Sequence, residues 1–211
     1  MLLLDIGNTN VKSYDGNFVR RDSVKDFIFP KEKFYFINVN PSFETHLAKM
    51  VQAIDLTSFF SFKTAYKGMG IDRLAACYSI TDGVVVDAGS AVTVDVMRKG
   101  IHKGGFIMPG LSAYKDSFAN ISSKLIYDLE KEITLEKLPL NTNDALLYAT
   151  LKSIVLMIEN SAKDLPIFMT GGDGSVLCKY LKHCSYDEML VFKGMQKVIK
   201  EMGEHVNDSL T

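Results

Sequence analysis

An apolar strand that ends in an acid, skips one residue and turns on a glycine occurs twice in this chain, and a repeat of that kind implies two halves of one design. In the first copy, Leu2 to Lys12 (LLLDIGNTNVK), the run Leu2 to Leu4 leads into Asp5, Gly7 supplies the turn, and Asn8, Thr9 and Lys12 follow. In the second, Val84 to Asp95 (VVVDAGSAVTVD), Asp87 matches Asp5, Gly89 matches Gly7 and Ser90 matches Asn8. A hairpin signal follows each copy: Asp15-Gly16-Asn17 between strand-like residues, then Lys99-Gly100 between VTVDVM and IHKGGFI.

The residue types in the first turn suit a phosphate. Asn8 and Thr9 carry short polar side chains, and Lys12 brings a point charge for phosphate oxygens. The Asp5 carboxylate would repel that phosphate unless a cation such as Mg²⁺ lay between them, so the turn implies a metal-nucleotide rather than a bare anion. Read alone, the same residues also serve as ordinary hairpin turn formers.

Elsewhere the pattern is that of an α/β protein. Phe34 to Val39 reads as a strand, Pro41 and Ser42 open a helix through about Ala53, and Thr57 to Phe62 returns as a strand. That alternation implies parallel strands with right-handed crossovers. Helices are expected over Ile71 to Ile80, Leu111 to Ala119, in part over Leu125 to Leu138, over Ala145 to Ala162 with Thr142 or Asn143 as cap, and over Lys193 to His205 before a polar end. Pro166 to Met169 is a short buried strand, and Asp95 is expected to alternate outward between Val94 and Val96.

With 24 basic against 25 acidic side chains, the chain carries no electrostatic footprint for nucleic acid or anionic membrane. Its three cysteines, Cys77, Cys178 and Cys184, are odd in number and argue against a disulfide framework, which fits a reducing cytoplasm. Cys178, His183 and Cys184 lack a matching fourth ligand and read as structural rather than as a metal site. No signal peptide and no membrane span is expected.

Three motifs in order, DIGNTNVK (Asp5 to Lys12), DAGSAVTVD (Asp87 to Asp95) and TGGDG (Thr170 to Gly174), resemble the phosphate-1, phosphate-2 and adenosine motifs of the actin, Hsp70 and sugar-kinase ATPases. With GIDR (Gly70 to Arg73) between the first two and GGFIMPG (Gly104 to Gly110) after the second, the chain resembles a type III pantothenate kinase over nearly its whole length. The resemblance implies duplicated ribonuclease H-like halves, residues 1–82 and 83–211, with a nucleotide cleft between them.

It also implies site residues. ATP would be bound by Asp5, Ile6, Gly7, Asn8, Thr9, Asn10, Val11 and Lys12, with Ser90, Gly171 and Gly172. Pantothenate would be bound by Tyr66, Gly70, Ile71, Asp72, Arg73 and Thr142, the last sometimes across a homodimer interface. Asp5 would reach Mg²⁺ through the phosphates, and Asp87 would help hold a monovalent cation, K⁺ or NH₄⁺.

An acid and an arginine in a helix's first turn are by themselves commonplace, since the helix dipole favours the acid and such pairs are often solvated. A kinase acting on an alcohol, however, needs a carboxylate to accept the hydroxyl proton and a cation to orient an acidic substrate. Asp72 as base and Arg73 as anchor meet those needs, and the activity implied is phosphorylation of pantothenate to 4'-phosphopantothenate, the first step of coenzyme A biosynthesis. Two other readings stay open: a kinase of the same fold for another small alcohol or sugar, and a nucleotide-dependent regulator without turnover.

Overall fold

The computed structural model describes residues 1–208, which form two compact units. The first comprises Met1–Thr81, Lys99–His102 and the chain from Glu188 on; the second comprises Asp82–Arg98 and Lys103–Asp187.

The first unit begins with the expected hairpin, β1 (Leu2–Ile6) and β2 (Asn10–Tyr14), followed by an exposed edge strand β3 (Val19–Ser23). The Asp15-Gly16-Asn17 turn is closed by the Asp15 carboxylate, which accepts from the N–H groups of Asn17 and Phe18. Those two donors, the Phe18 one foremost, hold Asp15 below the ordinary carboxylate range. Then come β4 (Phe34–Asn38), α1 (Glu44–Leu47) and β5 (Ala53–Asp55). The sheet order is β3-β2-β1-β4-β5, with β4 parallel to both β1 and β5, as a strand-helix-strand unit requires. Leu4, Ile6, Val11, Phe34, Phe36 and Leu47 make its core.

Two expectations in this stretch are corrected. Only Pro41–Phe43, as a 3-10 turn, and Glu44–Leu47 are helical; Val51 is fully exposed and Ala53 pairs with Phe34 in the sheet. Cross-strand pairing has taken residues that helical spacing alone assigns to the helix. Likewise Thr57–Phe59 is a 3-10 turn rather than a strand, and the strand that follows, β6, is only Lys63–Thr64. The helix α2 (Ile71–Tyr78) forms where the apolar spacing puts it.

The second unit opens with β7 (Gly83–Ala88) and β8 (Ala91–Arg98), the second hairpin of the repeat. Lys99 and Gly100 both have positive φ, as a tight two-residue connection to β9 (Ile101–Pro109) demands. The first two residues of β9, which belong to the first unit, pair in parallel with β6, Thr64 opposite His102. Two helices follow, α3 (Leu111–Ile121) and α4 (Thr142–Ala162), then β10 (Ile167–Thr170), α5 (Gly174–Cys178) and β11 (Cys184–Tyr186). The sheet runs β11-β10-β7-β8-β9, and α4 lays Leu147, Leu151, Ile154 and Ile158 into a core with Val84, Val86, Val92, Val94 and Met169. No helix occurs over residues 125–138; near the start of this stretch the Tyr127 side chain is buried, with its hydroxyl bonded to Thr150.

Three further expectations change here. Asp95 does not face outward; it is 1% exposed, because both faces of β8 are covered. The cap of α4 is Asn141, whose side chain accepts from the Asp144 N–H, not Thr142 or Asn143. Cys178 and Cys184 are joined in a disulfide, and Cys77 is a buried cysteine outside it. Parallel pairing of β11 with β10, Cys184 opposite Ile167, brings the two sulfurs within reach.

The chain ends in α6 (Leu190–Asp208), which groups with the first unit although it follows the whole of the second. Gly194 sits so close to Ala75 of α2 that an added Cβ would lie 2.8 Å from the Ala75 carbonyl carbon. The polar end expected beyond the helix lies outside the described residues.

Candidate active site

In the first unit the acidic turn joins β1 to β2. The β1–β2 register sets Asp5 opposite Lys12, and the Lys12 Nζ stands 3.4 Å from the Asp5 Oδ2. Asp5 is 6% exposed, so the carboxylate is held in place and largely out of bulk water. Ile6 and Val11 anchor the turn in the core, while Asn8 and Thr9 are exposed at its tip. The Gly7 N–H donates to the Asn10 carbonyl at 3.0 Å, and a Cβ on Gly7 would meet that same oxygen, so glycine keeps the turn tight. Asn40, a residue no motif singles out, is buried and donates from Nδ2 to the Gly7 carbonyl at 3.3 Å. Its signal in sequence is only an amide before Pro41, where it caps the 3-10 turn.

The GIDR segment lies at the start of α2. Gly70 precedes the helix without a side-chain cap, and Asp72 in the first turn accepts the Arg73 N–H at 2.8 Å, compensating part of the unsatisfied helix end. A side chain on Gly70 would collide with the Asp72 carboxylate, whose Oδ1 would stand 2.5 Å from its Cβ. Ile71 is buried and seats the helix. Arg73 is 5% exposed, with its guanidinium carbon 4.7 Å from the centre of the Tyr66 ring and Nη1 donating to the Tyr66 hydroxyl at 3.2 Å. The structure thus brings Tyr66, Asp72 and Arg73 together at the start of α2.

In the second unit, loops distant in sequence converge on the second acidic turn. It is one residue shorter than the first: Gly89 donates to the Ala91 carbonyl, and Asp87 faces Thr93 where Asp5 faces Lys12. Gly110 donates to the Ser90 carbonyl at 3.1 Å, and a Cβ there would come within 2.7 Å of that oxygen. Gly171, at φ 92°, lies against Asp87 Oδ1 and the Ala88 carbonyl, while the Asp173 N–H donates to that carbonyl at 2.9 Å. Gly172 is exposed beside it. Asp87, Ser90, Gly171 and Gly172 therefore share one end of the sheet. Thr142, at the start of α4, is exposed. Near it Asp144 is held below the ordinary carboxylate range, first by Lys131 and then by Asn141.

Two α/β units, each built on a strand-acid-glycine-strand turn, make up the fold of the actin-like ATPases and sugar kinases. That fold is shared with a Sinorhizobium meliloti crystal structure named for a 2-dehydro-3-deoxygalactonokinase, at TM-score 0.54 and 10% identity over 95% of this chain and 96% of that one. The family model for type III pantothenate kinase matches residues 37–164. Type III pantothenate kinases from Campylobacter hominis (46% identical, covering 96% of this chain and all of that one) and Wolinella succinogenes (45%, covering 97% and 99%) are similar over nearly their full length. This chain belongs to the type III pantothenate kinase family. A Campylobacter jejuni crystal structure named for a conserved Baf family transcriptional activator is also similar, with TM-score 0.90 and 43% identity over 97% of this chain and all of that one.

Proposed function

We propose a division of labour among these residues in the family's reaction, ATP-dependent phosphorylation of pantothenate at the entry to coenzyme A biosynthesis. Asp72 accepts the proton of the primary hydroxyl as it attacks the terminal phosphorus of ATP and ADP leaves with the bridging oxygen, and Arg73, steadied by Tyr66, receives the pantothenate carboxylate. Gly70 and Ile71 line the same pocket, and Thr142 contributes to it in a homodimer. The observation that carries this reading is the Asp72–Arg73–Tyr66 assembly at the helix start, which joins a base and a buried cation within one turn.

Asp5 to Lys12 cradle the ATP phosphates, Ser90 adds a hydroxyl, and Gly171 with Gly172 offers bare backbone to the adenosine. The donor set suits the cations that such a reaction calls for. Asp5 is a buried oxygen ligand of the hard type that Mg²⁺ takes, and the Asp87 carboxylate and the Ala88 carbonyl both lie against Gly171, two oxygens of the kind that K⁺ or NH₄⁺ takes. Bound there, the cations would neutralise phosphate charge. The remaining work of the chain is alignment, since phosphoryl transfer asks for little covalent participation by protein. A cytoplasmic setting, where ATP is available, agrees with this chemistry, and no helix among the described residues is long and apolar enough to cross a membrane.

The test is ADP release by the purified protein with Mg²⁺-ATP and pantothenate, run in K⁺, in NH₄⁺ and in Na⁺ alone. Pantothenate-dependent turnover that needs K⁺ or NH₄⁺, and loses that need in Asp87→Asn, is the expected result. Equal turnover in all three salts would remove the monovalent site. Turnover with simple sugars in place of pantothenate would remove the substrate assignment.

A further inference from the structure

His102 has no part in the reaction outlined above, yet it is 3% exposed and stands against Tyr66, the ring that meets Arg73. Its Nδ1 lies 2.8 Å from the Thr64 Oγ1, and that same oxygen accepts the Tyr66 N–H at 3.0 Å. The imidazole stands edge to face with Tyr66 at 5.9 Å and with Phe62 at 6.0 Å. Tyr66 in turn carries the Arg73 guanidinium on its ring and its hydroxyl. The backbone alone holds this chain of contacts weakly. β6 is two residues long, and Gly68 in the loop that follows has φ 72°. A strand so short has few ladder hydrogen bonds to fix the residues after it, so side-chain ties weigh heavily.

We propose that His102 is a positioning residue for pantothenate: through Thr64 it fixes the start of the 65–70 loop, and so sets the Tyr66 ring against which Arg73 is oriented. The proposal rests on the reading that Arg73 and Tyr66 receive the substrate. It explains why an imidazole, rather than another apolar side chain, stands under Phe62: a buried polar group is retained where it is satisfied and specifies a geometry.

The experiment uses the intact enzyme and reads KM for each substrate with the melting temperature. Thr64→Val and His102→Phe, the second of which keeps an aromatic ring against Phe62 and Tyr66, should each raise the pantothenate KM about five- to tenfold, the scale of one lost hydrogen bond. KM for ATP should stay within about twofold, and the double variant should be no worse than the poorer single one, because both remove one link. His102→Asn, which can still offer an amide to Thr64, should recover much of the loss. An unchanged pantothenate KM in Thr64→Val and His102→Phe, with Arg73→Gln impaired, would overturn the His102 link alone. An unchanged pantothenate KM in Arg73→Gln would overturn the substrate assignment and this proposal with it. If His102→Phe does not fold, Thr64→Val, which alters an exposed side chain, decides the matter.

Discussion

Replacing Gly194 by alanine sets two effects of opposite sign against each other. In a helix interior alanine is favoured over glycine by about 1 kcal/mol. At Gly194, however, the new Cβ would stand 2.8 Å from the Ala75 carbonyl carbon and 3.3 Å from its Cα, with the carbonyl oxygen nearer still. Ordinary Cβ contacts begin near 3.4 Å, and the obstacle is backbone rather than a side chain able to swing away. Helices α2 and α6 must therefore part by something on the order of 1 Å, and overpacking against backbone costs about 2–3 kcal/mol, the upper part of the usual range for such changes. The net expectation is a loss of about 1–2 kcal/mol, which at this chain length lowers Tm by about 2–8 °C. Gly203, on the same helix, supplies the control: nothing lies within 4 Å of its Cβ position. Gly203→Ala should gain up to about 1 kcal/mol and raise Tm by about 2–4 °C. Thermal unfolding of both variants beside the parent measures the contrast. Because α2 carries Asp72 and Arg73 in its first turn, Gly194→Ala should also lower kcat, whereas Gly203→Ala should not. A Gly194→Ala protein as stable as the parent would refute the claim that backbone contact sets the spacing of these helices.

Three further expectations concern single groups. Asp72→Asn should lower kcat by about 10²-fold or more, the usual scale for loss of a general base, with ATP affinity by calorimetry unchanged; normal turnover would dismiss Asp72 as the base. Burial, and then the hydrogen bond it donates to Glu201, push the Tyr78 hydroxyl up to about 12 from its ordinary 10.0. The neutral tyrosine is thus favoured in the folded state, so this contribution is intact below pH 10 and is lost as pH rises from 10 toward 12. Denaturant titrations over that range should fall more steeply for the parent than for Tyr78→Phe. Cys178–Cys184 closes a short loop, for which restriction of the unfolded chain is worth roughly 2 kcal/mol. Dithiothreitol should accordingly lower Tm by about 4–8 °C in the parent and leave a Cys178→Ser/Cys184→Ser variant unmoved.

What the sequence by itself determined is local and repeated. Two acids, each separated by one residue from a glycine and lying between apolar strands, specify their hairpins because the acid, the turn glycine and the alternating apolar residues are all near neighbours; the β1–β2 and β7–β8 registers follow that pattern. Ile71 to Tyr78 is legible as a helix for the same reason, and with it the adjacency of Asp72 and Arg73. The limit is reached wherever a distant partner outbids a local preference. Residues 48–53 have helical spacing, but Ala53 is drawn into the sheet by Phe34, and nothing near residue 53 announces that strand. Cys178 and Cys184 meet because β11 pairs with β10. Asp95 is buried because both faces of β8 are covered, which alternation along one strand does not encode. Only the tertiary structure could return α6 to the first unit, against a helix more than a hundred residues earlier, and set His102 beside Thr64 and Tyr66. Those contacts depend on chain closure over long separations, where packing and hydrogen-bond satisfaction decide and short-range propensity has no say.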